Sequence, residues 1–119
     1  MLPKQYRLKK KAAFSATYRT NTVFRKHGIV VFCGKVKKDN FFTKIGFVVS
    51  KKIHKRAVKR NRIKRLMRES IRLYIKKNDG IFDCKYMSLI FTASNKLLGK
   101  NFNEINLGMK TLMEIIKND

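Results

Sequence analysis

An α+β fold is what this 119-residue sequence predicts, and three patterns predict it. Two β-branched, aromatic runs follow a short alanine-bearing helical stretch. A long segment then repeats its apolar residues at helical spacing. A last strand-like run leads into a second strongly periodic helix. The order α, two strands, α, β, α makes one domain over residues 1–119, with no Pro- or Ser-rich linker and no internal repeat to divide it.

Residues 9–19 read as a short helix, because Ala12, Ala13 and Ala16 favour it and Phe14 and Tyr18 share a face at i, i+4. Thr20-Asn21-Thr22 ends it. Gly28 to Val36 reads as a strand, with Gly34 marking a bulge or break. The turn signal Lys37-Lys38-Asp39-Asn40 separates it from a second strand over 42–50, so the two are expected as an antiparallel hairpin or meander. Ala57 to Lys77 is the long helix: Ile63, Leu66, Met67, Ser70, Ile71 and Tyr74 form one face, and Arg65, Arg68, Arg72 and Lys76 the other. Asn78-Asp79-Gly80 ends it, with Gly80 suited to a left-handed position. Tyr86 to Ala93 is a strand, expected parallel to the second because a long helix joins them. The final helix runs over 102–117 behind a capping box of Asn101 and Glu104, burying Ile105, Met109, Leu112, Met113 and Ile116.

The hydrophobic fraction of 44% supports a packed core. The net charge of +23 is unevenly placed: residues 1–68 carry 22 basic against 1 acidic residue, and residues 69–119 carry 8 against 6. The densest part is Lys51 to Arg68, where ten of eighteen residues are Lys or Arg and none is acidic. Such a stretch repels itself unless a polyanion lies against it, and interleaved Ala57, Val58, Ile63, Leu66 and Met67 let it pack rather than remain a tail. RNA or DNA contact is therefore expected, with Arg offering bidentate donors to phosphate and Lys a point charge. Arg60, Asn61 and Arg62 fall at the start of a helix, where backbone amides and the dipole also favour phosphate.

A membrane is the competing polyanion, but no apolar run approaches the ~20 residues a spanning helix needs. The basic start lacks a following apolar stretch, so no signal peptide is read and a cytoplasmic protein is expected. Cys33 and Cys84, far apart and outside any CxxC, are expected as buried free thiols. His27 and His54 are isolated, only Asp39 among the acids precedes residue 69, and no Gly-rich phosphate loop is present. No catalytic residue and no metal ligand is assigned. Phe14, Tyr18 and Phe32 are read from composition as core first, and as stacking platforms for unpaired bases second. A structural RNA-binding module of ribosomal type fits this surface as well. A DNA-packaging protein would leave the three aromatics without a stacking role.

Arg60-Asn61-Arg62-Ile63-Lys64-Arg65, preceded by Lys51-Lys52 and Ala57 and followed by Arg68-Glu69, closely resembles the signature of the bacterial ribonuclease P protein subunit. Arg7-Leu8 with Phe14 and Tyr18 resembles that family's N-terminal helix, and Phe32 falls where the family has an aromatic in the following strand. Length and element order agree from about residue 4 to residue 115.

The resemblance implies a compact two-layer α+β sandwich of order α-β-β(-β)-α-β-α. It also implies a left-handed βαβ crossover, like the second domain of ribosomal protein S5 and against the usual hand. It implies an endoribonuclease whose RNA subunit cleaves the 5′ leader from precursor tRNA and holds the Mg²⁺ ions. The protein then binds no cofactor through ligands of its own and needs no obligate protein partner. By matching positions, contact with the RNA subunit falls to Lys51, Lys52, Arg56, Arg60, Asn61, Arg62, Lys64, Arg65 and Arg68. Contact with the single-stranded 5′ leader falls to Phe14, Tyr18 and Phe32.

Overall fold

The computed structural model describes residues 2–38, 42–78 and 84–118. After a 3₁₀ turn at Lys4–Tyr6, helix α1 spans Lys11–Arg19. Asn21, at φ 58°, redirects the chain into strand β1, Thr22–Lys26. His27 and Gly28, at φ 52° and 83°, make the two-residue turn into β2, Ile29–Cys33. Two consecutive positive φ values match the right-handed twist of a hairpin, and glycine takes the second at little cost. Strand β3 is Lys44–Val48, helix α2 Ala57–Lys77, strand β4 Ser88–Ala93 and helix α3 Phe102–Asn118.

The four strands form one sheet in the order β1-β2-β4-β3. The hairpin expected between residues 28–36 and 42–50 is therefore not formed. The hairpin partner of β2 is β1, a strand absent from the α, β, β, α, β, α reading, and β4 lies between β2 and β3. Burial explains the arrangement. Leu89, Ile90, Phe91 and Ala93 are buried on both faces of β4, so the most apolar strand takes the centre and separates two strands that are neighbours in sequence. β4 runs antiparallel to β2 and, as expected from the intervening helix, parallel to β3.

Alternation gives the sheet two different faces. Ile29, Val31, Cys33, Ile45, Leu89, Phe91 and Ala93 join one core with Ile63, Met67, Ile71 and Ile75 of α2 and the predicted stripe of α3. Leu66 and Tyr74 are only partly buried at its margin. Helices α2 and α3 run in the same direction: Arg62 bonds to Lys100, Ser70 to Asn106 and Tyr74 to Glu114, stepping forward on both. The capping box is present, with the Glu104 N–H donating to Asn101 Oδ1 at 2.9 Å and the Asn101 N–H to Glu104 Oε1 at 3.3 Å.

On the other face the register places Phe32, Ile90 and Gly46 in one row across β2, β4 and β3. Helix α1 lies along that row. Tyr18 meets Phe32 edge to face at 4.8 Å, and the Phe14 ring covers Gly46, where a Cβ would sit 2.7 Å from Cε1. Its one buried residue is Thr17. Gly34 ends β2 as a close approach: its N–H donates to the Ser88 carbonyl at 2.8 Å, and a Cβ there would lie 2.2 Å from Ser88 Oγ. Of the two cysteines expected to be buried, only Cys33 is; Cys84 is half-buried, its thiol 3.3 Å from the Thr43 hydroxyl. The turn residues Asp39, Asn40, Asp79 and Gly80 lie outside the described residues.

Candidate RNA-binding surfaces

The first surface is built around the start of α2. No side chain caps this helix and no acid lies in its first turn, so the amides of Ala57 and Val58 stay available beside a dense set of cations, while those of Lys59 and Arg60 bond to the Arg56 carbonyl. Lys51, Lys52, Arg56, Asn61 and Arg65 are exposed, while Arg60, Arg62, Lys64 and Arg68 are half-buried. Two of the half-buried arginines hold the backbone. Arg60 Nη1 donates to the carbonyls of His54 and Lys55, each at 2.8 Å, and pins the segment leading into the helix. His54 Nδ1 accepts the Arg56 N–H at 3.0 Å and tightens the same turn. Arg62 Nη2 donates to the Lys100 carbonyl at 2.9 Å, tying α2 to the segment before α3. Each guanidinium keeps further N–H donors for phosphate, since arginine carries five. The basic face is balanced again one turn beyond Arg68. There Arg72 makes two bonds to Glu69, at 3.0 and 2.5 Å, and holds that carboxyl below its ordinary range.

The second surface is a cleft of about 330 Å³ beside β3, where Arg7, Lys9, Phe14, Gly46, Phe47 and Arg68 converge. Arg68 was matched to the first surface, and the structure also brings it here, its guanidinium carbon 5.9 Å from the Phe47 ring centre. The three aromatics singled out from the sequence do not form one cluster. Tyr18 and Phe32 meet over β2, while Phe14 stands over β3 at the opposite end of the row. Tyr18 is 37% exposed, and partial burial pushes its phenol pKa up. Arg7, Lys9 and Phe47 are cleft residues that the sequence reading missed. Arg7 and Lys9 are separated from Phe47 by about a third of the chain and from Arg68 by about half, and the bridge between Arg7 and Ile45, with the Lys44 ammonium donating to the Gln5 carbonyl at 2.6 Å, brings the N-terminal segment to this strand.

Among the described residues no three of His, Cys, Asp and Glu come together as a metal site. No helix among them is long and apolar enough to cross a membrane.

Known proteins share both the sequence pattern and the fold. The family model described as Ribonuclease P matches residues 2–117. The chain belongs to the ribonuclease P protein family. The ribonuclease P protein component of Clostridium kluyveri is 38% identical over 112 residues, covering 92% of each chain. That of Nitratiruptor is 36% identical over 110 residues, covering 92% of this chain and 91% of its own. The Staphylococcus aureus RNase P protein structure superposes with a TM-score of 0.75 at 26% identity, over 97% of this chain and all of that one. The Thermotoga maritima RNase P protein shares the fold, with a TM-score of 0.69 at 21% identity over 95% and 96% of the chains. The chain's role is thus that of the protein subunit of the endoribonuclease ribonuclease P, associated with its RNA, rather than of a structural RNA-binding protein outside tRNA processing.

Proposed function

We propose that the two surfaces divide the work of the subunit. The start of α2, through Lys51, Lys52, Arg56, Arg60, Asn61, Arg62, Lys64 and Arg65, grips the RNA subunit. The face carrying α1, through Phe14, Tyr18 and Phe32, receives the single-stranded 5′ leader of precursor tRNA. Arg68 stands between them and serves both. The observation that carries this reading is the row Phe32, Ile90, Gly46 with α1 laid along it, because it sets aromatic rings at both ends of an incompletely covered sheet face. Rings on a fixed platform stack unpaired bases of any sequence, worth about 1–3 kcal/mol per base. Cations at the start of α2 supply the salt-dependent contact with a folded RNA. In this reading the cleavage chemistry and its Mg²⁺ ions belong to the RNA subunit, and the protein lowers the Mg²⁺ needed by neutralising phosphates. The compartment is the cytoplasm, where precursor tRNA is made.

The test is reconstitution. The purified chain alone should leave precursor tRNA intact, and with the RNA subunit it should raise cleavage at low Mg²⁺ concentration. It should also bind precursor more tightly than mature tRNA, and Tyr18→Ala should shrink that difference. Correctly folded protein that gives no stimulation rejects the assignment. A Tyr18→Ala variant with a lower melting temperature and an unchanged precursor preference makes Tyr18 a packing residue.

A further inference from the structure

The cleft beside β3 contains a feature that stacking does not use. The Lys44 N–H points inward to the Met87 carbonyl at 3.0 Å, and the Ile45 carbonyl points outward, accepting the Leu8 N–H at 2.9 Å. Strand alternation then turns the Phe47 N–H and C=O to the same outer edge as those of Ile45. The N-terminal segment pairs with β3 at Ile45, and among the described residues no group bonds to the Phe47 backbone. A backbone donor and acceptor thus stand open in a cleft that also holds Phe14, Arg7, Lys9 and Arg68. Unpaired strand edges are templates for partners, and half-buried polar groups left unpaired are costly.

We propose that the β3 edge at Phe47 is a nucleobase site that takes one unpaired nucleotide of the leader. The base lies against Phe14 and exchanges hydrogen bonds with the Phe47 N–H and C=O. Its phosphates meet Lys9 and Arg7, and Arg68, seated over the Phe47 ring, closes the far side. The volume of about 330 Å³ is at the lower end of the 300–1,000 Å³ typical of small-ligand sites, room for one nucleotide and too little for a duplex. An extended peptide is the other natural occupant of an open edge. Three cations and no acid line this cleft, so the charge favours a polyanionic strand. The proposal rests on the leader reading above and adds hydrogen-bond recognition at one leader position.

The experiment uses holoenzyme reassembled from the RNA subunit and the full chain. Precursor tRNAs carrying 4-thiouridine at successive single leader positions are bound, irradiated and digested with trypsin. One position should crosslink to the tryptic peptide of residues 45–51. Removing the base there should weaken precursor binding by about tenfold, the scale of one lost stacking contact, while mature tRNA binds as before. Arg68→Gln should lower the yield of that crosslink. Leader crosslinks confined to the tryptic peptide of residues 27–35, which bears Phe32, overturn the β3-edge site and leave the leader reading intact. Crosslinks to residues 45–51 that arise only from 4-thiouridine in the RNA subunit also overturn it. Equal binding of precursor and mature tRNA takes down the leader reading itself.

Discussion

The hydroxyls of Thr17 and Ser88 lie 2.6 Å apart and form the polar seam between α1 and the sheet. Thr17 Oγ1 donates its single proton to the Ala13 carbonyl at 2.7 Å, so Ser88 is the donor across the seam. Thr17→Val keeps the shape and strands the Ser88 hydroxyl, a loss of about 1–2 kcal/mol to be read from urea unfolding. Gly34→Ala drives a Cβ into the same hydroxyl, an overpacking cost of about 1–3 kcal/mol that Ser88→Gly should partly relieve. Simple additivity of Gly34→Ala and Ser88→Gly would show that the seam does not couple them.

Arg65 and Arg60 should behave differently although both carry one charge. Arg65 is exposed, so Arg65→Ala should lower the slope of log K against log salt for the RNA subunit by about 0.7–0.9, one phosphate's share. Its urea midpoint should not move. Arg60→Ala should lower the slope by at least as much and also increase amide exchange at residues 54–56, the segment whose His54 and Lys55 carbonyls it holds. Identical behaviour of the two variants would contradict the anchoring role.

Acid should loosen the start of α3. Glu104 is held below the ordinary carboxylate value of 4.5, chiefly by the Asn101 N–H and then by Lys100. A carboxyl lowered by folding stabilises the folded chain above 4.5 and loses that contribution as pH falls through its lower folded value. Glu104→Gln keeps an acceptor for the Asn101 N–H and should flatten the acid limb of stability against pH. An unchanged acid limb would remove Glu104 as its source; Glu69, lowered by Arg72, contributes with the same sign.

Tyr74 should be late to ionise. Burial, followed by the 2.7 Å bond to Glu114, pushes its pKa up from 10.0 to about 12. A raised phenol pKa stabilises the fold below 10.0, and that contribution is lost as pH rises through about 12. In a near-ultraviolet titration of phenolate, Tyr74→Phe should delete a late step; persistence of every late step contradicts this.

Local order and the parallel pairing of β3 with β4 were legible in the sequence, and the other strand pairings were not. The bounds Ala57–Lys77 of α2, the capping box of α3 and its buried stripe follow from periodicity and short-range hydrogen bonds, which neighbouring residues determine. The strand Thr22–Lys26 is short, and its β signals are Thr22, Val23 and Phe24, the first of which also reads as the helix end, so the strand was concealed; His27-Gly28 as a two-residue turn was the available clue. The central place of β4 depends on long-range burial that no local window contains. At the candidate sites the residue types were readable, but the roles of Arg60 and Arg62 as backbone anchors were not. The carbonyls they hold look like any others in one dimension.

The central slot of the sheet belongs to its last strand, and this bears on the order of events during synthesis. Until residue 93 has left the ribosome, β2 and β3 have no strand between them and the sheet cannot close. By then the segment carrying 22 of the 30 basic residues is already outside, beside ribosomal RNA and without its folded scaffold. Non-local closure of this kind is slow relative to helix formation. The nascent chain therefore passes through a stage in which its charge can engage RNA before its shape can select which one.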